Sequence, residues 1–168
     1  GKMGKKLSEL AEKDPFFHSV TAICSKSKEK EKEDFFTKSD LIIDFSTPEN
    51  IDDTLKRSKK PLVIGTTGLK DTHFEKMEKT AKKIPVFYAA NFSIGIHLVK
   101  SIILSIENHF SHIDLIETHH TEKKDTPSGT ALYLANALKN KASIHSLRKE
   151  HVIGIHELIF DNNEEQIK

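Results

Sequence analysis

Cysteine is almost absent from this chain: Cys24 is the single one in 168 residues. One thiol excludes an internal disulfide framework and fits a reducing compartment. A surplus of one charge is missing too, since 26 Lys and Arg residues face 25 Asp and Glu residues, a formal net charge of +1. A protein built for nucleic acid or a membrane surface would normally carry a basic excess or stripe. Long apolar runs are also lacking. The most apolar stretch, residues 94–106, is broken by His97, Lys100, Ser101 and Ser105, and it falls short of the roughly 20 residues of a membrane span. No signal-peptide pattern opens the sequence. The expectation is a cytoplasmic protein with neither nucleic acid nor membrane as partner.

What is present alternates. Ser19–Cys24, Asp40–Phe45, Pro61–Ile64 and Pro85–Tyr88 read as short buried strands, rich in β-branched and aromatic residues. Between them lie helix-like segments. The Lys/Glu run 26–34 reads as a solvated loop or short helix. Ser46-Thr47-Pro48-Glu49 offers a hydroxyl cap, a first-turn proline and an early acid, and starts a helix to about Ser58. Asp71-Thr72 with Glu75 resembles a capping box and starts another, to about Lys83. Strand–helix alternation of this kind predicts a doubly wound, Rossmann-like parallel α/β sheet. The rhythm changes after Ser93. Residues 95–109 form one long helix whose Ile96, Val99, Ile102, Ile103 and Ile106 make a core face. A strand at 113–117, a helix at 131–138 and short strand-like runs at 143–148, 151–155 and 157–160 follow. A smaller α+β domain is expected there, with the boundary near Phe92.

The stretch Glu117-Thr-His-His-Thr-Glu-Lys-Lys-Asp-Thr-Pro-Ser-Gly-Thr130 joins that strand to that helix. A helix start attracts anions through unpaired N–H groups and its dipole. Lys123 or Lys124 adds positive charge, and His119 and His120 move protons near neutral pH. Together they suit a small acidic substrate. As residues alone, Ser128 and Thr130 could equally be an ordinary cap. The paired histidines have no third ligand at a convincing spacing, so no metal is expected.

The string His119-His120-x-x-Lys123-x-Asp125-x-Pro127-Ser128-Gly129-Thr130 resembles the signature of the dihydrodipicolinate reductase family. The resemblance extends over the chain. Gly1-Lys2-Met3-Gly4 is similar to the end of the family's nucleotide fingerprint. Asp44-Phe45-Ser46, Gly65-Thr66-Thr67-Gly68, Ala89-Ala90-Asn91-Phe92-Ser93 and Gly154-x-His156 match further segments. Thr121 and Glu122 stand where the family often carries a basic residue and a histidine.

The resemblance implies hydride transfer from NADPH or NADH to 4-hydroxy-tetrahydrodipicolinate, a small cyclic dicarboxylate, in the diaminopimelate route to lysine. It implies proton transfer by His119 and Lys123, and substrate carboxylates held by His120, Ser128, Gly129 and Thr130. Cofactor contacts fall on Gly1, Lys2, Met3, Lys26, Gly65, Thr66, Thr67, Ala89, Ala90, Asn91 and Phe92. With Ser25 and Lys26 after the second strand and no carboxylate before Glu29, NADPH is the expected form, because a basic residue suits a 2′-phosphate. Residues 1–92 would be the dinucleotide-binding domain without its first strand, and 93–168 the substrate and oligomerisation domain without its C-terminal return. A homotetramer is implied as well. Two alternatives stand beside this reading: another NAD(P)-dependent oxidoreductase of an amino or keto dicarboxylate, and a non-catalytic nucleotide-binding module.

Overall fold

The computed structural model describes residues 1–24 and 26–168; Ser25 lies outside the described residues. The chain divides into two compact units, Gly1–Ala89 and Ala90–Lys168.

The first unit holds α1 (Lys2–Ala11), α2 (Glu29–Lys38), β1 (Ile42–Asp44), α3 (Pro48–Arg57), β2 (Leu62–Ile64), α4 (Asp71–Ala81) and β3 (Val86–Tyr88). Its three strands pair in chain order and in parallel, Ile42 beside Leu62 and Leu62 beside Val86. Parallel neighbours need a crossover, and α3 and α4 supply it. Ile42, Leu62 and Ile64 from the sheet pack with Ile51 and Leu55 of α3, Met77 of α4 and Phe36 of α2. The Lys/Glu run thus becomes a helix whose last turn puts Phe36 into this core. Its start is held by Glu31, which accepts the Lys28 N–H at 2.9 Å.

Two helix starts differ from their sequence reading. Thr47 caps α3 with no side-chain hydrogen bond to the helix main chain; its Oγ1 accepts from Asn50 Nδ2 at 3.3 Å, and Ser46 Oγ donates to Asp44 at 2.6 Å. At α4 the reciprocal bond comes from His73, whose Nδ1 accepts the Lys70 N–H at 2.9 Å, and not from Glu75. Ser19–Cys24, expected as a strand, carries no strand pairing. Its composition suits a sheet, but a strand exists only with a ladder partner, and no described strand lies beside it.

The second unit holds α5 (Ile94–Ile106), a 3₁₀ turn (Glu107–His109), β4 (His112–His119), α6 (Gly129–Ala135), β5 (Ser143–Arg148), β6 (Ile155–Asp161) and β7 (Gln166–Ile167). The sheet order is β5-β4-β6-β7, with β4 parallel to β5 and the other pairs antiparallel. Ser93 Oγ caps α5 by accepting the Ile96 N–H at 3.3 Å. Ile103 and the half-buried Ile96, Val99 and Ile106 face the core of Phe110, Ile113, Leu115, Leu134 and Phe160. Ile102, read as part of that face, is 58% exposed. The sequence intervals 96, 99, 103 and 106 follow one helical stripe, and 102 falls off it. The expected strand at 151–155 is also corrected. His151 has φ 62, a left-handed conformation that no extended strand continues through, so β6 starts at Ile155.

Candidate functional site

Side chains on a strand alternate between faces, so Ile113, Leu115, Glu117 and His119 of β4 share one side. Ile113 and Leu115 belong to the apolar core, whereas Glu117 and His119 are buried and polar. The neighbouring strands change character at the same level. On β5, Ile144 packs with the core while Ser146 lies opposite Glu117 and Arg148 opposite His119. On β6, Phe160 and Leu158 lie opposite Ile113 and Leu115, and His156 lies opposite Glu117. A polar layer therefore caps the apolar core at one end of the sheet.

Buried charge must be paired. Glu117 is 0% exposed; one oxygen accepts from Arg148 Nη1 at 2.9 Å and the other bonds His119 Nδ1. The same guanidinium reaches into the loop after β4, donating from Nη2 to the Asp125 carbonyl at 2.7 Å and to Thr126 Oγ1 at 2.8 Å. Ser128 caps α6, its Oγ accepting the Ala131 N–H at 3.2 Å, and shares a 3.1 Å hydrogen bond with His156 Nε2. The rings of His119 and His156 meet edge to face at 5.2 Å. Lys123 Nζ pairs with Asp125 at 2.8 Å, and the half-buried His120 follows β4 directly. Donor atoms of Glu117, His119 and His156 lie within 4.8 Å of one another. Both Glu117 oxygens are already engaged, one by a guanidinium, and His156 Nε2 is bonded to Ser128, so the trio is a poor cation seat.

The other sequence-derived residues fall into separate groups. Asn91 Nδ2 donates to Thr130 Oγ1 at 3.0 Å, and Asn91 Oδ1 accepts the Ser93 N–H at 2.8 Å. A residue assigned to the cofactor and one assigned to the substrate are thus directly joined. Ala90 leads into this segment and Phe92 is 44% exposed. In the first unit, Asp44 is the organiser. Its carboxylate accepts from the Ser46 N–H and Oγ, from Thr66 Oγ1 at 2.9 Å and from Thr54 Oγ1 at 2.7 Å. Thr66 is consequently buried with its hydroxyl turned inward, and only its main chain can meet a ligand. Gly65 donates to the Asp44 carbonyl at 2.8 Å, and a Cβ there would stand 2.3 Å from the Phe45 ring. Thr67 is exposed, and Ala89 donates to the Ile64 carbonyl at 3.1 Å. Gly1 caps α1, with Lys2 and Met3 in its first turn. A cleft of about 440 Å³ lies between α1 and residues 22–24 and 27, lined by Gly1, Gly4, Lys5, Ser8, Cys24 and Ser27. Lys26 is exposed beside it.

Residues 1–92 match the family model for the dihydrodipicolinate reductase N-terminus, and residues 93–168 that for its C-terminus. The chain belongs to the dihydrodipicolinate reductase family. A 4-hydroxy-tetrahydrodipicolinate reductase of Rickettsia rickettsii (strain Sheila Smith) is 36% identical over 190 residues, covering 99% of this chain and 80% of its own. That of Thermosipho africanus (strain TCF52B) is 38% identical over 173 residues, covering 100% of this chain and 77% of its own. The fold agrees. The dipicolinate-bound dihydrodipicolinate reductase from Paenisporosarcina sp. TG-14 superposes with a TM-score of 0.78 at 22% identity, covering 99% of this chain and 82% of that one. The architecture is a Rossmann-like α/β fold. As a member of this family the chain is an oxidoreductase with a reductase role in lysine biosynthesis, and its N-terminal residues form the domain for a pyridine nucleotide. Among the described residues, no helix is long and apolar enough to cross a membrane.

Glu117, Arg148 and His156 were not picked out as site residues from sequence. His156 stood in the Gly154-x-His156 match and Glu117 opened the signature stretch. Only strand register brings Arg148 to them.

Three groups in this layer titrate with the same sign. Burial pushes Glu117 up, but hydrogen bonds from Ser146, Arg148 and His119 outweigh it and leave the carboxyl below its usual value. The Lys123 side chain holds Asp125 below its usual value. Burial, with His119 adding to it, keeps His156 below the ordinary imidazole value. In each case the folded value lies below the unfolded one. The stability concerned is present above the unfolded value and is lost as pH falls through the folded one. The second unit should therefore lose stability from about pH 6.5 downward, His156 acting first and the carboxyls later. Melting temperatures followed from about pH 7 to about pH 4 check this, and His156→Gln should flatten the upper part of the fall.

Proposed function

We propose that this chain reduces 4-hydroxy-tetrahydrodipicolinate to tetrahydrodipicolinate, drawing on NADPH in preference to NADH. The observation that carries the reading is the buried His119, bonded at one ring nitrogen to an ionised Glu117, beside a loop that presents Lys123. The overall change takes in one hydride and one proton and releases one water. A nicotinamide nucleotide supplies the hydride when bound. His119 holds and moves the proton, and Lys123 is its partner donor. General acid–base help of this kind contributes typically about 10²–10⁴-fold.

His120, Ser128, Gly129 and Thr130 are assigned to the two substrate carboxylates. The dipicolinate-bound relative supports a cyclic dicarboxylate as ligand. The nucleotide is assigned to Gly1, Lys2, Met3, Lys26, Gly65, Thr66, Thr67, Ala89, Ala90, Asn91 and Phe92. The place of the Gly65 turn directly after β2 supports its share in that group; at Gly65 itself the space a Cβ would take is filled by the Phe45 ring, and Gly68 follows at φ 75. Lys26 favours the 2′-phosphate form. Residues 1–92 act as the nucleotide domain and 93–168 as the substrate and oligomerisation domain of a cytoplasmic homotetramer.

The test is NADPH oxidation by the protein on addition of freshly generated 4-hydroxy-tetrahydrodipicolinate, repeated with NADH. Turnover with this substrate, faster with NADPH, is the expected result. Nucleotide binding without turnover would transfer the assignment to a neighbouring oxidoreductase of amino or keto dicarboxylates.

A further inference from the structure

We propose that Glu117 is the positioning residue of the reaction, with Arg148 as its lock and Gly154 as the opening that leaves His119 Nε2 usable. The inference rests on His119 being the proton carrier.

Glu117 and His119 are two residues apart on β4, so their side chains leave the same face. The carboxylate takes Nδ1 of the imidazole. A ring whose Nδ1–H donates to a carboxylate is held in one tautomer, with the lone pair of Nε2 as the working position. When Nε2 also carries a proton, the charged ring lies against a charged carboxylate, and Glu117 itself keeps no proton. The proton therefore passes between Nε2 and the substrate. Electron count and total charge are unchanged by the positioning group.

Arg148 makes this arrangement persist. It comes from the adjacent strand, opposite His119 in register, and its Nη1 holds the second Glu117 oxygen. Its Nη2 is anchored on Asp125 and Thr126 of the signature loop. One planar fork thus ties the orienting carboxylate to the loop that carries Lys123. Gly154 completes the device. A Cβ at that position would stand 2.9 Å from His119 Nε2, over the nitrogen that has to exchange its proton. The charged or titratable groups around this ring are Glu117 from β4, Arg148 opposite it on β5 and His156 from β6, with the charge of Lys123 from the loop felt at His156.

The variant to make is Glu117→Gln in the full chain, assayed as above across pH, with His119→Gln in parallel. The expected result is a kcat lower by about 10²-fold with KM within about threefold. The pH dependence of kcat should change with it, because the carboxylate that holds Nδ1 of the ring is gone. Arg148→Lys should fall between, since an ammonium keeps the charge but not the fork. Unchanged kcat and profile in Glu117→Gln, with turnover abolished in His119→Gln, would overturn the positioning role and leave the functional reading intact. Full turnover in His119→Gln would instead remove His119 as the proton carrier, and the positioning role with it, while no turnover by the unmodified protein would remove the functional reading. A purely structural role would lower melting temperature without moving the profile. Should Glu117→Gln fail to fold, ring ¹⁵N shifts of the unmodified protein decide the matter. Neutral His119 should carry its proton on Nδ1, and an Nε2–H tautomer would refute the proposal.

Discussion

Protein carrying His119→Gln should turn over about 10²–10⁴-fold more slowly than the parent while binding nucleotide with little change. Glutamine is close in size to histidine and can still offer an amide N–H to Glu117, so the buried carboxylate keeps a donor. What it cannot do is take up and release a proton near neutral pH. The ring is 8% exposed and packed against His156, so a smaller replacement would open a void and confuse lost chemistry with lost packing. Steady-state kcat measured beside nucleotide affinity separates these effects. A matching loss in both would show that residue 119 maintains structure and carries no proton.

The second large effect is expected far from any proton transfer. Asp44→Ala should destabilise the first unit by about 3 kcal/mol or more, and weaken nucleotide binding with it. Asp44 is 7% exposed and accepts from Ser46, Thr54 and Thr66. Thr54 and Thr66 are themselves buried, so truncation strands two hydroxyls away from water while freeing the turn after β2. Urea melts followed alongside nucleotide titration would measure both consequences. Asp44→Asn should fall between, since rotatable hydroxyls can donate to its carbonyl oxygen but not to its amide. Stability equal to the parent in Asp44→Ala would mean that water replaces the carboxylate without penalty.

Much of this was legible in the sequence because the signals were local. Asp40–Phe45, Pro61–Ile64 and Pro85–Tyr88 stood out as short β-rich runs, and each parallel neighbour was found where the alternation put it. The long helix after Ser93 declared itself by the near-helical spacing of its apolar residues. The misses share a cause. Ser19–Cys24 has the composition of a strand, yet pairing depends on what lies beside it. Residues 151–155 contain Val152 and Ile153, but one left-handed residue ends the strand conformation there. Ile102 differs from Ile103 only by one step around a helix. In the site, His119, Lys123 and Ser128 were readable because one short string contains them. Arg148 is 31 residues from Glu117, and nothing in its local sequence distinguishes it from any other strand arginine. Its place follows from the register of β4 against β5, which no local pattern encodes. The inward turn of Thr66 was hidden in the same way, behind an aspartate 22 residues earlier.

Arg148 closes β5, and β5 lies at one margin of its sheet, hydrogen-bonded along a single side. Marginal strands open more readily than central ones. The cation that holds Glu117 beside His119 is therefore mounted on the part of the sheet with the weakest grip, while the histidine rides on a strand gripped from both sides. With Arg148 and His119 in their proposed roles, fraying of that margin would silence the enzyme while its core was still intact, and anything that clasps the margin would protect activity without approaching the reacting atoms.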